Sequence, residues 1–209
     1  PRLFQGPRTR IAGAGARSLK ESGADLLFVS LHGSCAEISD AVTKAPGTFD
    51  KTLAGLDAAA ACDLRVRVNF VFCEPNRADF PAFVELLTTR WPSAELCVSF
   101  VAPSTDMVPR TADLIPRYSD IQASLAAGLR IATARGIQVS GFDAMCGLPL
   151  CLTPPEVFDV AAIADAPEAY DGGEMVRGLA CRQCAARMKC FGVRRGYAEV
   201  HGTDELTAL

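Results

Sequence analysis

Cysteines near the C-terminal end of the sequence have the spacing of a metal site. Cys181 and Cys184 form a Cys-x-x-Cys motif, and Cys190 follows after five intervening residues. Thiolates at this density repel one another unless a cation takes up their charge, and zinc and iron–sulfur clusters prefer sulfur ligands. Two upstream thiols, Cys146 and Cys151, are candidates for a fourth ligand. The spacing therefore predicts a sulfur-ligated metal centre.

Basic residues flank these cysteines and favour the same interpretation. They are Arg182, Arg187, Lys189, Arg194 and Arg195. Positive charge stabilises the thiolate form and offsets the negative charge of a sulfur-ligated cluster. A thioredoxin-like dithiol fits less well, because its Cys-x-x-Cys opens a helix after a strand and needs no further cysteines. The other thiols are scattered, and we interpret them as ordinary buried residues. They are Cys35, Cys62, Cys73 and Cys97.

Composition limits the class of protein. The 209 residues are 49% hydrophobic, which fits one domain or a domain with a small appendage. A net charge of -3 argues against a general nucleic-acid binder. Neither a long apolar run nor a signal-peptide pattern is present, so we expect no membrane span and a cytoplasmic location. Nine cysteines in such a chain indicate metal or redox chemistry rather than a disulfide framework.

Four apolar runs of strand length alternate with helical patterns. The runs are 26–31, 65–72, 96–101 and 137–142. Helices are predicted over 12–22, from a capping box at Ser34, over 48–61 with Thr48 as the cap, from Asn76 or Asp79 to Arg90, and over 119–134. This alternation is typical of right-handed βαβ units around a parallel sheet.

The alternation stops after Phe142. Residues 143–209 carry glycine, proline and five cysteines, and a segment so poor in core residues needs a staple such as a metal site. We therefore divide the chain into an α/β part, 1–142, and a Cys-rich extension, 143–209. Residues 3–7 resemble the cleavage sequence of a viral protease and are given no function.

A series of short motifs follows in order from about residue 12 to about residue 205. The motifs are Val29-Ser-Leu-His-Gly33, Asp40, Pro46-Gly-Thr-Phe49, Val68-Asn-Phe-Val71, Asn76, Gly147-Leu-Pro-Leu-Cys151, the segment from Cys181 to Gly192, Tyr197 and Gly202. Together they resemble the C-terminal two-thirds of a radical S-adenosylmethionine (radical SAM) enzyme with a SPASM/Twitch-like auxiliary cluster. Arg194 stands where the longer extension has a further cysteine, which favours one auxiliary cluster over two.

The resemblance implies a fold and a metal site. The fold is an incomplete (β/α) barrel, a partial TIM barrel whose later elements are the four predicted strands. The site is a 4Fe–4S cluster held by Cys151, Cys181, Cys184 and Cys190, with Cys146 as the spare candidate. The alternative is a structural zinc at the same sulfurs, in which case the chain is a non-catalytic α/β binding module.

The sequence lacks the Cys-x3-Cys-x2-Cys loop that holds the SAM-cleaving cluster in this family. We therefore expect the chain to be a fragment that is inactive alone. The longer enzyme would reductively cleave SAM and abstract a hydrogen atom from its substrate. No motif identifies that substrate, whether small molecule or peptide.

The resemblance also implies contacts with SAM. Ser30, at the end of the first predicted strand, is expected to meet the ribose, and Asn69 and Asn76 the methionine or ribose part. Two of them have a structural alternative: the Ser30 hydroxyl is satisfied by nearby backbone, or Asn76 is a helix cap.

Three further polar residues lie near the same sheet edge. His32 faces the rim, where a structural role is the more common one for a single histidine. Asp106 and Arg110 belong to a proline-rich loop over the rim and contact either substrate or solvent.

Overall fold

A parallel sheet forms the centre of the computed structural model, which describes residues 3–5, 14–101, 109–142, 144, 146–155, 157, 161, 163–166 and 173–209. Its strands are β1 (Leu3–Gln5), β2 (Leu26–Ser30), β3 (Arg65–Phe72), β4 (Glu95–Phe100) and β5 (Val139–Ser140). They lie in the order β1-β2-β3-β4-β5, and every neighbouring pair is parallel. Strands consecutive in the sequence are therefore neighbours in the sheet.

Helices connect the strands and cover one face of the sheet. They are α1 (Ala14–Glu21), α2 (Ala36–Thr43), α3 (Thr48–Ala61), α4 (Phe80–Arg90) and α5 (Tyr118–Ala134). Right-handed crossovers that advance in one direction place their helices on the same face. Alternate residues of β3 are buried accordingly, and the ring of Phe70 lies 4.7 Å from that of Phe83 on α4. The residues between them are only half-buried, so the other face is more open.

The predicted strands match the structure closely in the middle of the sheet. The limits of β3 agree with the prediction, and those of β2 and β4 differ by one residue at one or both ends. β1 was not predicted. β5 is two residues shorter than expected at each end, and at its C-terminal end it is followed by Gly141, which has a φ of 108°. A Cβ atom at that position would lie 2.2 Å from the carbonyl oxygen of Val98, so the chain turns there at a glycine.

The predicted capping box at Ser34 is wrong. α2 begins at Ala36, and Cys35 in the N-cap position makes no side-chain capping bond. Ser34 instead donates from its amide and its hydroxyl to the two carboxylate oxygens of Asp79, each at 2.6 Å. A charged partner distant in sequence outcompetes the local bond, because hydrogen bonds to a carboxylate are stronger than neutral ones.

The start of α3 also differs from the prediction. Its N-cap is Gly47 rather than Thr48, and Gly47 makes no side-chain cap. The carboxylate of Asp40 takes that role, accepting from the amides of Gly47 at 2.5 Å and Phe49 at 2.9 Å. The α2–α3 turn is therefore closed by an anion at a helix N-terminus, where the helix dipole favours one.

The C-terminal region has little regular structure. β6 (Met175–Val176) pairs antiparallel with β7 (Val193–Arg194), and α6 (Arg195–His201) follows. Short 3₁₀ turns span Leu150–Leu152 and Leu179–Gln183.

This region shares the main hydrophobic core. Leu148, Val193, Tyr197 and Leu206 join the same buried cluster as the sheet. The rings of Tyr197 and Tyr118 are stacked, with centroids 3.9 Å apart. The expectation that the extension lacks core residues is therefore too strong, and the division at residue 142 stays a prediction. Among the described helices, none has the length and apolarity that a membrane crossing requires.

Candidate functional site

Four cysteines line one pocket in the C-terminal region. They are Cys151, Cys181, Cys184 and Cys190, the ligand set expected from the sequence. The turn Leu150–Leu152 presents the first of them, and the turn Leu179–Gln183 presents the second. The structure thus brings together thiols from two separate segments of the chain.

Backbone amides point at two of these sulfurs. The Sγ of Cys190 accepts from the amides of Leu150 and Gly192, each at 3.4 Å, and the Sγ of Cys184 accepts from the amide of Leu209 at 3.5 Å. Gly192 has a φ of 85°, and a Cβ there would lie 2.4 Å from a carbonyl oxygen of β6. Hydrogen bonds of this kind stabilise negative charge on sulfur and tune iron–sulfur clusters.

Burial affects the thiol of Cys151 at the pocket. Burial raises its pKa above the ordinary value, hydrogen bonds from Thr207 act in the opposite direction, and the neighbouring Cys190 and Cys181 raise it again. Without a cation at the sulfurs, Cys151 is therefore a neutral thiol at neutral pH. A bound metal ion would displace that proton.

The four cysteines line one pocket, but their side chains are not arranged as a complete set of metal ligands. In the described ranges, no three His, Cys, Asp or Glu side chains are grouped so that they are able to hold a metal ion. The pocket nevertheless gathers four thiols and several amide donors. The residues therefore suit a sulfur-ligated centre by their chemistry and location, and ligation by them remains a prediction.

The basic surroundings of the pocket differ from those expected. Arg187 lines it as expected, and Arg177 lines it without having been predicted, donating to the carbonyl oxygen of Cys190 at 3.0 Å. Arg194 instead forms an ion pair with Glu174 at 2.5 Å. Lys189 donates to the carbonyl oxygens of residues 161 and 163. Arg177 lay outside the cysteine motif, so spacing alone gave no signal for it.

Cys146 lies apart from the four pocket cysteines. Its Sγ is 3.7 Å from a guanidinium nitrogen of Arg194, and its carbonyl oxygen accepts from the amide of Phe100 at 2.8 Å. Its place is therefore at the end of β4, and it does not line the pocket. Of the two candidates for the fourth position, Cys151 is the one at the pocket.

A second polar cluster crosses the open face of the sheet. Ser30, Asn69, Cys97 and Ser140 lie opposite one another on four neighbouring strands. The Asn69 Oδ1 accepts from the hydroxyl of Ser99 at 2.9 Å, whereas its amide nitrogen donates to none of the described residues. Ser30 and Asn69 were both predicted, and the register makes them direct neighbours. Ser99 was missed because a serine inside a strand has no distinctive local pattern.

Asn76 does not share this open position. It is wholly buried, its amide nitrogen donates to the carbonyl oxygens of His32 and Val71 at 2.9 Å each, and its Oδ1 accepts from the amide of Cys73 at 2.7 Å. The side chain ties the end of β2 to the end of β3 and closes a short turn. Asn76 does not cap α4, whose N-cap position is Asp79, and a contact between Asn76 and SAM stays a prediction.

The remaining rim residues have structural partners as well. The Nδ1 of His32 accepts from the amide of Val71 at 3.3 Å, and the histidine is buried. Arg110 forms an ion pair with Glu199 on α6 at 2.6 Å. Asp106 lies outside the described residues. Among the described rim residues, Ser30 and Asn69 are therefore better placed as ligand contacts than His32 and Arg110.

No protein-family model matches the sequence, and no curated protein matches it significantly. The fold and the two clusters define an α/β protein with a parallel sheet and a cysteine-lined pocket in its C-terminal region.

Proposed function

We propose that this chain belongs to a radical SAM enzyme and holds its auxiliary 4Fe–4S cluster. The ligands are Cys151, Cys181, Cys184 and Cys190. The observation that carries the proposal is the meeting of these four thiols at one pocket, although they come from two segments of the sequence. The order of the parallel strands is also that of a (β/α) barrel, so a partial TIM barrel is part of the proposal.

Around the sulfurs, the protein supplies placement and charge. The amides of Leu150 and Gly192 donate to the sulfur of Cys190, and the amide of Leu209 donates to that of Cys184, so these bonds stabilise negative charge on the two sulfurs. Arg177 and Arg187 line the same pocket and offset negative charge. A bound cluster would supply a centre that anchors substrate or accepts an electron.

At the sheet, Ser30 and Asn69 are the proposed contacts of SAM. Ser30 ends β2, and ligands of parallel sheets bind at the carboxyl ends of the strands. Because Ser99 occupies the Oδ1 of Asn69, the amide nitrogen is presented as a donor. A carboxylate or a ribose hydroxyl, both present in SAM, accepts such a bond. Cleavage of SAM additionally requires the Cys-x3-Cys-x2-Cys loop, which this sequence does not contain.

Metal analysis after anaerobic purification tests the proposal. The expected protein is brown and contains iron and sulfide, and Cys184→Ser loses both together with the visible absorption. Cys35→Ser is the matched control, because Cys35 is exposed at the start of α2 and lies outside the pocket. It should keep the iron content of the unmodified protein.

Two results would overturn the assignment. Iron content unchanged in Cys184→Ser would remove Cys184 from the ligand set. A colourless protein with stoichiometric zinc and no iron would favour the alternative, a binding module with a structural zinc.

A further inference from the structure

The segment 203–209, here called the closing segment, returns from α6 to the cysteine-lined pocket. Leu206, Thr207 and Leu209 line that pocket. The amide of Leu209 donates to the Sγ of Cys184 at 3.5 Å, and its carbonyl oxygen accepts from the amide of Ala185 at 3.1 Å. The closing segment therefore forms one wall of the pocket and bonds to a predicted ligand.

A single carboxylate anchors the other end of the closing segment. The Oε1 of Glu205 accepts from the amide of Ser119 in the first turn of α5 at 3.0 Å. Its Oε2 accepts from the hydroxyl of Tyr197, which itself accepts from the amide of Tyr118 at 3.0 Å. The Nε of Arg117 lies 3.6 Å from Oε1. Glu205 thus acts as an anion at a helix N-terminus, supplied from a distant part of the chain.

Apart from this anchor, the described contacts of the closing segment are the buried side chain of Leu206 and the hydrogen bonds of Thr207 and Leu209 at the pocket. Leu206 is 6% exposed and inserts into the core, whereas Thr207 and Leu209 are exposed. A segment held by one buried side chain and a few hydrogen bonds opens locally at low free-energy cost. Among the hydrogen bonds of the closing segment, those of the Glu205 carboxylate are expected to be the strongest, because bonds to a charged group are worth more than neutral ones.

We propose that Glu205 is a positioning residue for the sulfur pocket, holding the closing segment over Cys151 and Cys184. Loss of the Glu205 anchor releases the segment from α5 and exposes these two thiols to solvent. The idea that the anchor helps to retain a cluster rests on the function proposed above. The closure of the pocket by the segment does not depend on that function, and it can be measured on the metal-free chain.

Site-resolved alkylation of the metal-free, reduced protein tests this inference. Iodoacetamide is the probe, and mass spectrometry follows each cysteine over time. Glu205→Ala should raise the labelling rates of Cys184 and Cys151 about 10-fold, the effect of losing hydrogen bonds to a charged group. Cys35, which is exposed, and Cys73, which is buried beside the sheet, should keep their rates.

Two further variants make the result specific. Glu199→Ala removes a carboxylate from α6 that pairs with Arg110, a residue outside the closing segment, so its labelling pattern should match the unmodified protein. Glu205→Gln keeps an acceptor for the Ser119 amide and should fall between the unmodified protein and Glu205→Ala. If Glu205→Ala also exposes Cys73, the chain has unfolded and Glu205→Gln decides.

The outcomes separate the anchor from the cluster. Unchanged labelling of Cys184 and Cys151 in both Glu205 variants would overturn the anchor, even in a protein that binds iron. Faster labelling in a protein that never binds iron would support the anchor and contradict the proposed function.

Discussion

Alternate residues of β3 and β4 are buried beneath helices, whereas β6 and β7 of the C-terminal region are two residues long. In the sheet region, the rings of Phe70 and Phe72 contact each other at 5.0 Å and join those of α4. In the C-terminal region, Leu179 and Met188 are 78% and 58% exposed. The sheet region therefore buries its apolar side chains in regular layers, whereas the described part of the C-terminal region joins fewer buried side chains through turns, ion pairs and hydrogen bonds.

A bound metal would add more to the stability of the C-terminal region than to that of the sheet. Apolar burial is spread over many residues, so the sheet region does not depend on any single bond. The described part of the C-terminal region contributes side chains such as Tyr197 and Leu206 to the main core, but its sulfur pocket lies among irregular turns. A centre bound there would cross-link turns that come from two separate segments of the chain.

The largest expected effect comes from the core of the sheet. Phe70→Ala removes a fully buried ring that contacts Phe72, Phe80 and Phe83. We expect the free energy of unfolding to fall by about 3–5 kcal/mol, measured by urea denaturation followed by circular dichroism.

The matched substitution in the C-terminal region is Met188→Ala, at an exposed side chain. It should change the unfolding free energy by no more than about 0.5 kcal/mol. Similar losses in the two variants would break the contrast between the regions.

An intermediate effect is expected where the two regions meet. Tyr197→Phe keeps the stack on Tyr118 but removes the hydroxyl that accepts from the Tyr118 amide and donates to Glu205. Because the buried amide loses its partner, we expect a loss of about 1–3 kcal/mol in the same denaturation experiment.

Tyr118→Phe is the control for that variant, since the described residues make no hydrogen bond with its hydroxyl. The stack is kept there too, and the stability should hardly change. If both variants were equally destabilised, the hydroxyl of Tyr197 would not be the link between the regions.

The smallest effect is expected at the open face of the sheet, where Glu95 pairs with Arg65 and Arg67, both at 2.5 Å. Burial raises the pKa of the Glu95 carboxyl, but the two guanidinium groups more than offset this, so its pKa is below the ordinary value. Such a group contributes stability above its unfolded pKa of about 4.3, and the contribution is lost as the pH falls through the folded pKa.

Glu95→Gln should therefore lower the unfolding free energy by about 1 kcal/mol at neutral pH, as expected for a partly exposed ion pair. Below a pH of about 4 the unmodified protein should approach the variant. Urea denaturation at a series of pH values measures both. A difference that grows on acidification would contradict the assignment.

Local sequence patterns were sufficient to predict much of the sheet. β3 was predicted to the residue because valine or phenylalanine occupies every second position from Val66 to Phe72, the pattern of a strand with one buried face. The predicted capping box at Ser34 was wrong, because Ser34 bonds instead to the carboxylate of Asp79, 45 positions away in the sequence. Asn76 was open to two interpretations, a cofactor contact or a helix cap, because the same amide suits either until its neighbours are known. In the structure its side chain instead bonds to backbone at the ends of β2 and β3, and Asp79 occupies the N-cap position of α4.

By itself, the sequence determined the alternation of strands and helices and the grouping of the cysteines, since both are written in short-range spacing and periodicity. Only the tertiary structure decided that Cys151 rather than Cys146 lies at the pocket, that Arg177 joins it, and that Glu205 anchors the segment over it. The physical reason is that these contacts join residues far apart in the chain. Their free energies depend on which surfaces folding brings together.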